Sequence, residues 1–285
     1  MIRRPAVANQ FYPGDPQTLE KTVRGMVDDN AAKEEAVAII APHAGYIYSG
    51  RVAGSVYSRV KIQDNIILLG PNHTGLGERV AIMASGRWDM PFGSIQVNER
   101  LASLIMEESV RFSNDITAHS GEHSLEVQLP FIHHFNPKAS IVPITIMHMT
   151  YDMCEELGKA IANAIRKYTC SRMSLPGKDS PIKVFGDRNV LIVVSSDMNH
   201  YESDAVTKKK DKKAIDKILA LNPKGLMETV SNEDISMCGI IPAAIALVAA
   251  KELGAKTAKL INYATSGDTS GDYAHVVGYA GILIK

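Results

Sequence analysis

Six short apolar runs constrain the fold of this chain most strongly. Each is rich in Val, Ile and Leu and stops abruptly at a polar, Gly or Pro residue. They cover residues 37–41, 65–70, 141–146, 190–195, 259–263 and 275–283. The runs lack clean alternation of apolar and polar residues, which is typical of strands in a sheet that is covered on both faces. The sequence therefore predicts a buried central sheet.

Helical patterns lie between these strands, and they set the fold class. The candidate helices cover residues 50–60, 98–110, 124–135, 151–168, 204–221 and 238–253. Alternation of strand and helix predicts a three-layer α/β/α fold with a largely parallel central sheet. A chain of 285 residues allows one large or two small domains. The polar, turn-rich segment 169–189 is typical of a surface excursion rather than a linker, so we expect a single domain over residues 1–285.

The charge balance, the apolar runs and the cysteine content limit the partners and the cellular compartment that we expect. The 31 basic and 31 acidic residues cancel, so no overall field attracts nucleic acid or an anionic membrane. The lysine-rich run 208–213 is followed by apolar residues at helical spacing, which favours a solvated helix face. The longest apolar run, 237–250, is too short to span a bilayer. Three widely spaced cysteines exclude a disulfide framework and favour a cytoplasmic protein.

Three of the predicted strands lead directly into turns that contain histidine. His43 follows the first strand, His73 follows the second, and Asp197 and His200 follow the strand at 190–195. Ligands of open α/β sheets bind beyond the carboxyl ends of the strands, so these turns are expected to face one another. A single histidine after a strand is more often structural. The convergence of three such turns predicts a functional crevice.

A fourth turn, residues 119–126, places Glu122 and His123 before a candidate helix that Ser124 is expected to cap. His123 either helps to cap this helix or lines the crevice, and the sequence leaves both interpretations open.

Cys238 precedes an apolar helix, whose amino terminus would lower the pKa of its thiol and favour a ligand or nucleophile. A free cysteine also commonly fills space in a core, and both interpretations stay open. Asp272 and His275 offer metal-ligand atoms, but the surrounding Asp and Gly residues favour a turn. The chain has no dinucleotide-binding glycine fingerprint, no phosphate-binding P-loop, no zincin motif and no nucleophile elbow around Ser195.

Several motifs in their order along the chain resemble the Memo protein family, whose prokaryotic members are called AmmeMemoRadiSam system protein B. They are PAVA at 5–8, FYP at 11–13, APHAGY at 41–46, GPNH at 70–73, EHSLE at 122–126, SSDMNH at 195–200 and MCG at 237–239. The match extends to residues 276–279. One departure is Asn9, which stands where many members have glycine.

The resemblance implies a fold similar to class III extradiol dioxygenases, which are non-haem iron enzymes. Carried over by motif, His43 and His73 resemble the metal histidines and Cys238 resembles the third ligand of the Memo family. His200 resembles the acid/base histidine, with Asp197 beside it. Four further residues of the same turns are candidates for contact with substrate: His123, Glu122, Tyr46 and Asn72. A thiolate is softer than the carboxylate of iron oxygenases, so copper or zinc are alternatives to iron and ring cleavage does not follow.

We therefore expect a cytoplasmic non-haem metal-binding protein with redox or oxygenase-like activity on an unknown substrate. The alternative is a non-catalytic module that recognises a peptide or an anionic small molecule in the same crevice. A metal-dependent hydrolase is less favoured, because no second carboxylate-rich cluster completes a two-metal site. The resemblance also implies a radical-SAM partner system. No nucleic acid or membrane partner is expected.

Overall fold

A computed structural model describes residues 1–173 and 189–285. Its strands are β1 (Ile2–Arg3), β2 (Ala38–Ala41), β3 (Asn65–Pro71), β4 (Val80–Ile82), β5 (Arg87–Met90), β6 (Gly93–Gln96), β7 (Ser113–Asn114), β8 (Ser140–Ile146), β9 (Val190–Ser195), β10 (His200–Glu202), β11 (Ala258–Thr265) and β12 (Val276–Ile284). Its helices are α1 (Pro16–Arg24), α2 (Tyr46–Tyr57), α3 (Glu99–Glu108), α4 (Thr117–Ser120), α5 (Leu129–Phe135), α6 (Tyr151–Met173), α7 (Asp204–Leu219), α8 (Pro223–Asn232), α9 (Ile240–Glu252) and α10 (Gly267–Ser270).

The main sheet has the strand order β10-β12-β2-β9-β3-β8-β4-β7, and β11 pairs with β12. The four strands at its centre, β2, β9, β3 and β8, are parallel to one another. Antiparallel pairs flank this centre: β12 runs against β2 on one side, and β4 runs against β8 on the other. A separate small sheet has the order β1-β5-β6. Because β9 lies between β2 and β3, the three predicted histidine turns emerge side by side.

Successive residues of the central strands point into two different apolar cores. Ile40, Ile67 and Ile192 pack in one core with residues of α3, α6, α8 and α9. Ile39, Ile66 and Leu191 pack in the other core with residues of α1, α2 and α5. Both faces of the sheet are therefore covered, which confirms the three-layer α/β/α fold and explains why the strands lack alternation.

The candidate helix at 124–135 differs from its prediction at the amino end. It starts with a 3₁₀ turn, Glu126–Gln128, before α5 begins. Ser124 does not cap it, because its Oγ atom donates a hydrogen bond to the carbonyl of Pro71 at 3.0 Å. The prediction of a Ser124 cap was wrong: this buried hydroxyl instead joins the turn to the end of β3.

The backbone at position 9 is compatible with asparagine in place of the glycine found in many family members. Its φ of 65° lies in the left-handed region, where glycine is unstrained and asparagine is among the best tolerated alternatives. Its Oδ1 atom also accepts a hydrogen bond from the backbone N–H of Gly14 at 2.9 Å. Asparagine thus keeps the backbone that glycine would adopt and adds a contact.

The lysine-rich run lies on α7, as predicted for a solvated helix face. Its side chains pair with nearby carboxylates: Lys208 with Asp204, Lys210 with Glu202, Lys212 with Asp216 and Lys213 with Glu233. These pairs leave little uncompensated positive charge on this face.

The predicted excursion at 169–189 lies largely outside the described residues. Its first part, up to Met173, belongs to α6 and is not an excursion. The single-domain assignment stays a prediction. In the two described ranges, no helix combines the length and the apolar character needed to cross a membrane.

Candidate metal centre

Three histidines meet at the carboxyl edge of the parallel strands. His43 lies two residues beyond β2, His73 lies two residues beyond β3, and His123 comes from the turn between α4 and α5. One potential ligand atom from each lies within 4.8 Å of the others. The ring centroids of His43 and His73 are 5.1 Å apart, and those of His73 and His123 are 4.6 Å apart. The sheet therefore brings two of the predicted turns together with the fourth turn.

The cluster is buried on the side of His43 and open to solvent on the side of His73 and His123. The side chain of His43 is only 2% exposed, whereas those of His123 and His73 are 22% and 33% exposed. Burial, followed by the nearby His73 and His123 side chains, holds the pKa of His43 well below its usual value. Burial also lowers the pKa of His123, although the charge of Glu122 opposes this. Both rings are kept neutral, which is the form that binds metals.

The hydrogen bonds around His43 define which ring nitrogen carries the proton. The hydroxyl of Ser195 donates its single hydrogen to the carbonyl of Ser124 at 2.6 Å and accepts from the side-chain amide of Gln128 at 2.8 Å. Its remaining lone pair faces Nδ1 of His43 at 3.0 Å, so Nδ1 must be the donor there. The Nε2 atom of neutral His43 consequently keeps a free lone pair.

Glu122 orients His73 in the same way. Its buried carboxylate lies 2.9 Å from Nδ1 of His73 and accepts backbone N–H bonds from His73 and Ser124. Burial alone would raise the pKa of Glu122, but the hydrogen bond and charge of His73, with these two N–H donors, outweigh burial and bring the pKa to about 2. The ionised carboxylate fixes the proton of His73 on Nδ1 and leaves Nε2 available as a ligand.

Cys238 lies beside the three histidines. Its Sγ atom is 3.3 Å from Nε2 of His43 and accepts a hydrogen bond from the backbone N–H of Asp197 at 3.3 Å. Burial, followed by the charge of Asp197, raises the pKa of the thiol. The helix effect expected from the sequence does not prevail here, so the predicted lowering of this pKa was wrong. Without a cation nearby, Cys238 holds its proton.

Asp197 lies next to both His43 and Cys238. One carboxylate oxygen accepts the backbone N–H of His43 at 2.8 Å, and the other lies 4.0 Å from its Nε2 atom. Burial raises the pKa of Asp197, although the His43 N–H bond and the nearby His200 and His123 charges work in the opposite direction.

His200 lies at the start of β10, and Ser236 fixes both its backbone and its ring. The backbone N–H of His200 donates to Ser236 Oγ at 2.7 Å, and the ring Nδ1 lies 2.9 Å from the Ser236 carbonyl. Since a carbonyl oxygen only accepts, Nδ1 carries a proton. This places the lone pair of neutral His200 on Nε2.

The remaining predicted site residues are used in folding the turns. The buried hydroxyl of Tyr46 donates to the carbonyl of Val127 at 2.6 Å. The Asn72 amide donates to the Leu76 carbonyl, and its Oδ1 atom accepts from the backbone N–H groups of Thr74 and Gly75. Their roles in substrate binding, like those of Glu122 and His123, stay predictions.

Asp272 and His275 lie outside the cluster. The Asp272 carboxylate accepts the backbone N–H of Ala274 at 2.8 Å, which is the turn that the sequence favoured. Sequence reasoning missed Gln128 and Ser236, and it considered Ser195 only as a nucleophile. The position of Ser195 in the same turn as Asp197 and His200 was the one available signal for its role.

Comparisons with known proteins show the family of the chain. A model of the Memo-like protein family matches residues 3–175 and 180–283. The chain belongs to the Memo-like family. It is 37% identical to a MEMO1 family protein of Methanopyrus kandleri, covering 100% of this chain and 99% of the relative. It is 42% identical to a MEMO1 family protein of Pyrobaculum arsenaticum and 40% identical to one of Pyrobaculum aerophilum, each over 99% of this chain and 98% of the relative. The Memo-like assignment extends over the strands and turns that build the histidine cluster.

Proposed function

We propose that this Memo-like protein binds a divalent metal ion at the histidine cluster and uses it in redox or oxygenase-like chemistry. The observation that carries the proposal is the meeting of three imidazoles, from turns distant in sequence, within 4.8 Å. Iron is the first candidate, and copper or zinc are alternatives. The His73 and His123 side chains are partly exposed, so a substrate or a small oxidant can reach the cluster from their side.

The chain offers two donor sets that share His43 and His73. Cys238 completes one set and His123 completes the other. The 3.3 Å contact between Cys238 Sγ and His43 Nε2 supports the first set. The spacing of the three imidazoles supports the second. A set that includes sulfur favours soft or borderline metals more strongly than a set of three imidazoles.

The chemistry of these donors fits a cation. Hydrogen bonds to Ser195 and Glu122 leave the Nε2 atoms of His43 and His73 unprotonated. When bound, a divalent metal would supply positive charge that stabilises a thiolate, and it would act as a Lewis acid toward small oxygen ligands. The ionised Glu122 behind His73 adds basicity to that ligand, as carboxylate partners of metal-bound histidines do.

His200 and Asp197 are the residues that we propose for proton transfer. The Ser236 carbonyl holds His200 with its Nε2 lone pair free, so a neutral His200 accepts a proton there and returns it later. The buried carboxylate of Asp197 stabilises the resulting imidazolium. In support of this pairing, burial raises the pKa of Asp197 and the charge of His200 is among the groups that oppose this.

Metal titration tests the proposal. Purified protein is stripped with chelator and titrated with Fe²⁺ without oxygen, then with Co²⁺, whose visible spectrum reports thiolate ligation. A His43→Ala, His73→Ala double variant should lose binding, whereas His134→Gln, which changes a histidine paired with Asp29, should keep it. Comparison of Cys238→Ser with His123→Ala identifies the third ligand. Equal affinity in wild type and the double variant would overturn the metal site. Peptide or anion binding unchanged by chelator would instead favour the non-catalytic module.

Two further parts of the proposal are a cytoplasmic location, which the few and widely spaced cysteines support, and a radical-SAM partner, which the family resemblance supports. Fractionation of the source cells tests the first. The second is tested by cross-linking the purified protein to the radical-SAM protein of the same organism, with and without metal.

A further inference from the structure

The turn that carries His200 is joined to the loop that carries Cys238 by one buried side chain, Asn199. Its Oδ1 atom accepts hydrogen bonds from the backbone N–H of Ser236 at 3.1 Å and from the Ser236 hydroxyl at 3.2 Å. Ser236 in turn receives the backbone N–H and the ring Nδ1–H of His200. Asn199 therefore holds the acceptor that orients the His200 ring.

Every polar group of Asn199 forms a hydrogen bond. Its backbone N–H donates to Asp211 at 2.8 Å, and its carbonyl accepts the N–H of Gly278 at 2.9 Å. Its side-chain amide donates to Glu202 at 2.6 Å. Asp211 is fully buried and also accepts the hydroxyl of Tyr263 at 2.7 Å. A side chain that is 1% exposed and bonded at every polar group has little freedom to rotate.

An irregular strand makes this arrangement possible. The pairing of β10 with β12 shifts register between His200 and Glu202, and Tyr201 between them has a φ of 61°. Such bulges next to functional sites change the direction of neighbouring side chains at a cost in backbone strain. Here the bulge lets Glu202 reach back to the Asn199 amide while His200 turns toward Ser236.

We propose that Asn199 and Ser236 are positioning residues that set the tautomer of His200, keeping its proton on Nδ1 and its lone pair on Nε2. This inference rests on the proposed role of His200 as an acid/base. A free imidazole in water has its proton mainly on Nε2, which is the wrong nitrogen for a base whose Nδ1 faces a carbonyl. The network therefore reverses the intrinsic preference of the ring.

The tautomer can be measured directly in metal-free protein by ¹⁵N NMR of the histidine rings at a pH where His200 is neutral, with His200→Gln to assign its signals. Wild type should show an unprotonated Nε2. Ser236 is exposed, so Ser236→Ala should fold. The variant keeps the carbonyl that accepts Nδ1–H but loses the hydroxyl that bonds the His200 backbone N–H and Asn199, so the carbonyl is held less firmly. The ratio of the Nδ1–H to the Nε2–H tautomer should therefore fall by roughly two- to threefold, the low end of the value of one hydrogen bond. Ser236→Thr keeps the hydroxyl and should restore the ratio.

Two more variants complete the test. Asn199→Leu removes the acceptor for both Ser236 donors and should lower the ratio further. Glu202→Gln keeps an acceptor for the Asn199 amide and should leave the ratio at the wild-type value. A wild-type His200 protonated on Nε2, or an unchanged ratio in both Ser236→Ala and Asn199→Leu, would overturn the inference. Because no metal is present, these outcomes are independent of the titration that tests the proposed function.

Discussion

The Sγ atom of Cys238 lies 3.3 Å from the Nε2 atom of His43, although the two residues are 195 positions apart. Neither group is charged in this arrangement, because burial lowers the pKa of the histidine and raises that of the thiol. The pair is therefore a neutral contact. If the proposed metal site includes Cys238, a bound divalent cation would take both groups as ligands and the thiol would lose its proton.

This neutrality predicts the reactivity of the cysteines. In metal-free protein, iodoacetamide should modify exposed Cys170 faster than Cys238, since the thiolate is the reactive form. Cys154 should react least, because its side chain is fully buried whereas Cys238 is partly exposed. Asp197→Asn removes a charge that raises the pKa of Cys238 and should accelerate its modification. A time course read by peptide mass spectrometry checks the order, and Cys238 as the fastest site would contradict it.

Glu122 should control metal affinity without contacting the metal. Glu122→Gln removes the charge behind His73 and weakens the bond that fixes its tautomer. The expected result is a metal affinity about 10–100-fold lower, the usual cost of losing such a partner. Competitive titration against a chelator of known affinity measures this, with Glu156→Gln at the exposed Arg111 pair as the control. Equal affinities for Glu122→Gln and wild type would exclude His73 as an oriented ligand.

The amino-terminal segment should contribute strongly to stability. The buried carboxylate of Glu126 pairs with Arg3, bonds the Tyr12 hydroxyl and accepts the backbone N–H groups of Ala6 and Val7. Glu126→Ala leaves a buried cation and should lower the free energy of unfolding by about 3–5 kcal/mol.

Glu20 provides the matched control for Glu126. It forms an exposed helical pair with Arg24, so Glu20→Ala should cost at most about 0.5 kcal/mol. Urea unfolding of both variants measures the difference. Similar losses in the two variants would contradict a structural role for the buried pair.

Asp211 should make stability depend on pH. Burial raises its pKa to about 6, from 3.8 in the unfolded chain, so the folded state retains a proton that the unfolded state has already released. Wild-type stability, relative to Asp211→Asn, should therefore be highest below about pH 4 and fall by about 3 kcal/mol as the pH rises past 6. Urea unfolding of both proteins from pH 4 to 8 gives this difference. A difference that is constant with pH, or that increases with pH, would show that Asp211 is not buried as a neutral acid.

The sequence predicted the layers, the parallel centre of the sheet and the meeting of the His43 and His73 turns, because apolar runs followed by polar turns specify buried parallel strands. It missed α1 and α8, which are amphipathic but flanked by Pro and Asp or Asn. It also missed the short strands β4 and β7, which pair with partners distant in the chain, and the hairpin formed by β5 and β6.

The errors at the site have a common physical origin. The pKa of Cys238 was misjudged because a local helix effect is weaker than burial and a neighbouring carboxylate, and neither of these is visible in the local sequence. Ser124 was assigned as a cap because its partner, the carbonyl of Pro71, is 53 positions away in the chain. Local rules gave the correct residue types, and long-range contacts decided what those residues do.

The position of β9 between β2 and β3 determines when the histidine cluster can assemble. His43, His73 and His123 are all made in the first half of the chain, yet the strands that carry His43 and His73 do not pair with each other. They reach their native spacing only when residues 190–195 insert between them. A nascent chain that lacks β9 therefore has all three histidines but not their native spacing, so the proposed metal binding would follow the completion of the sheet.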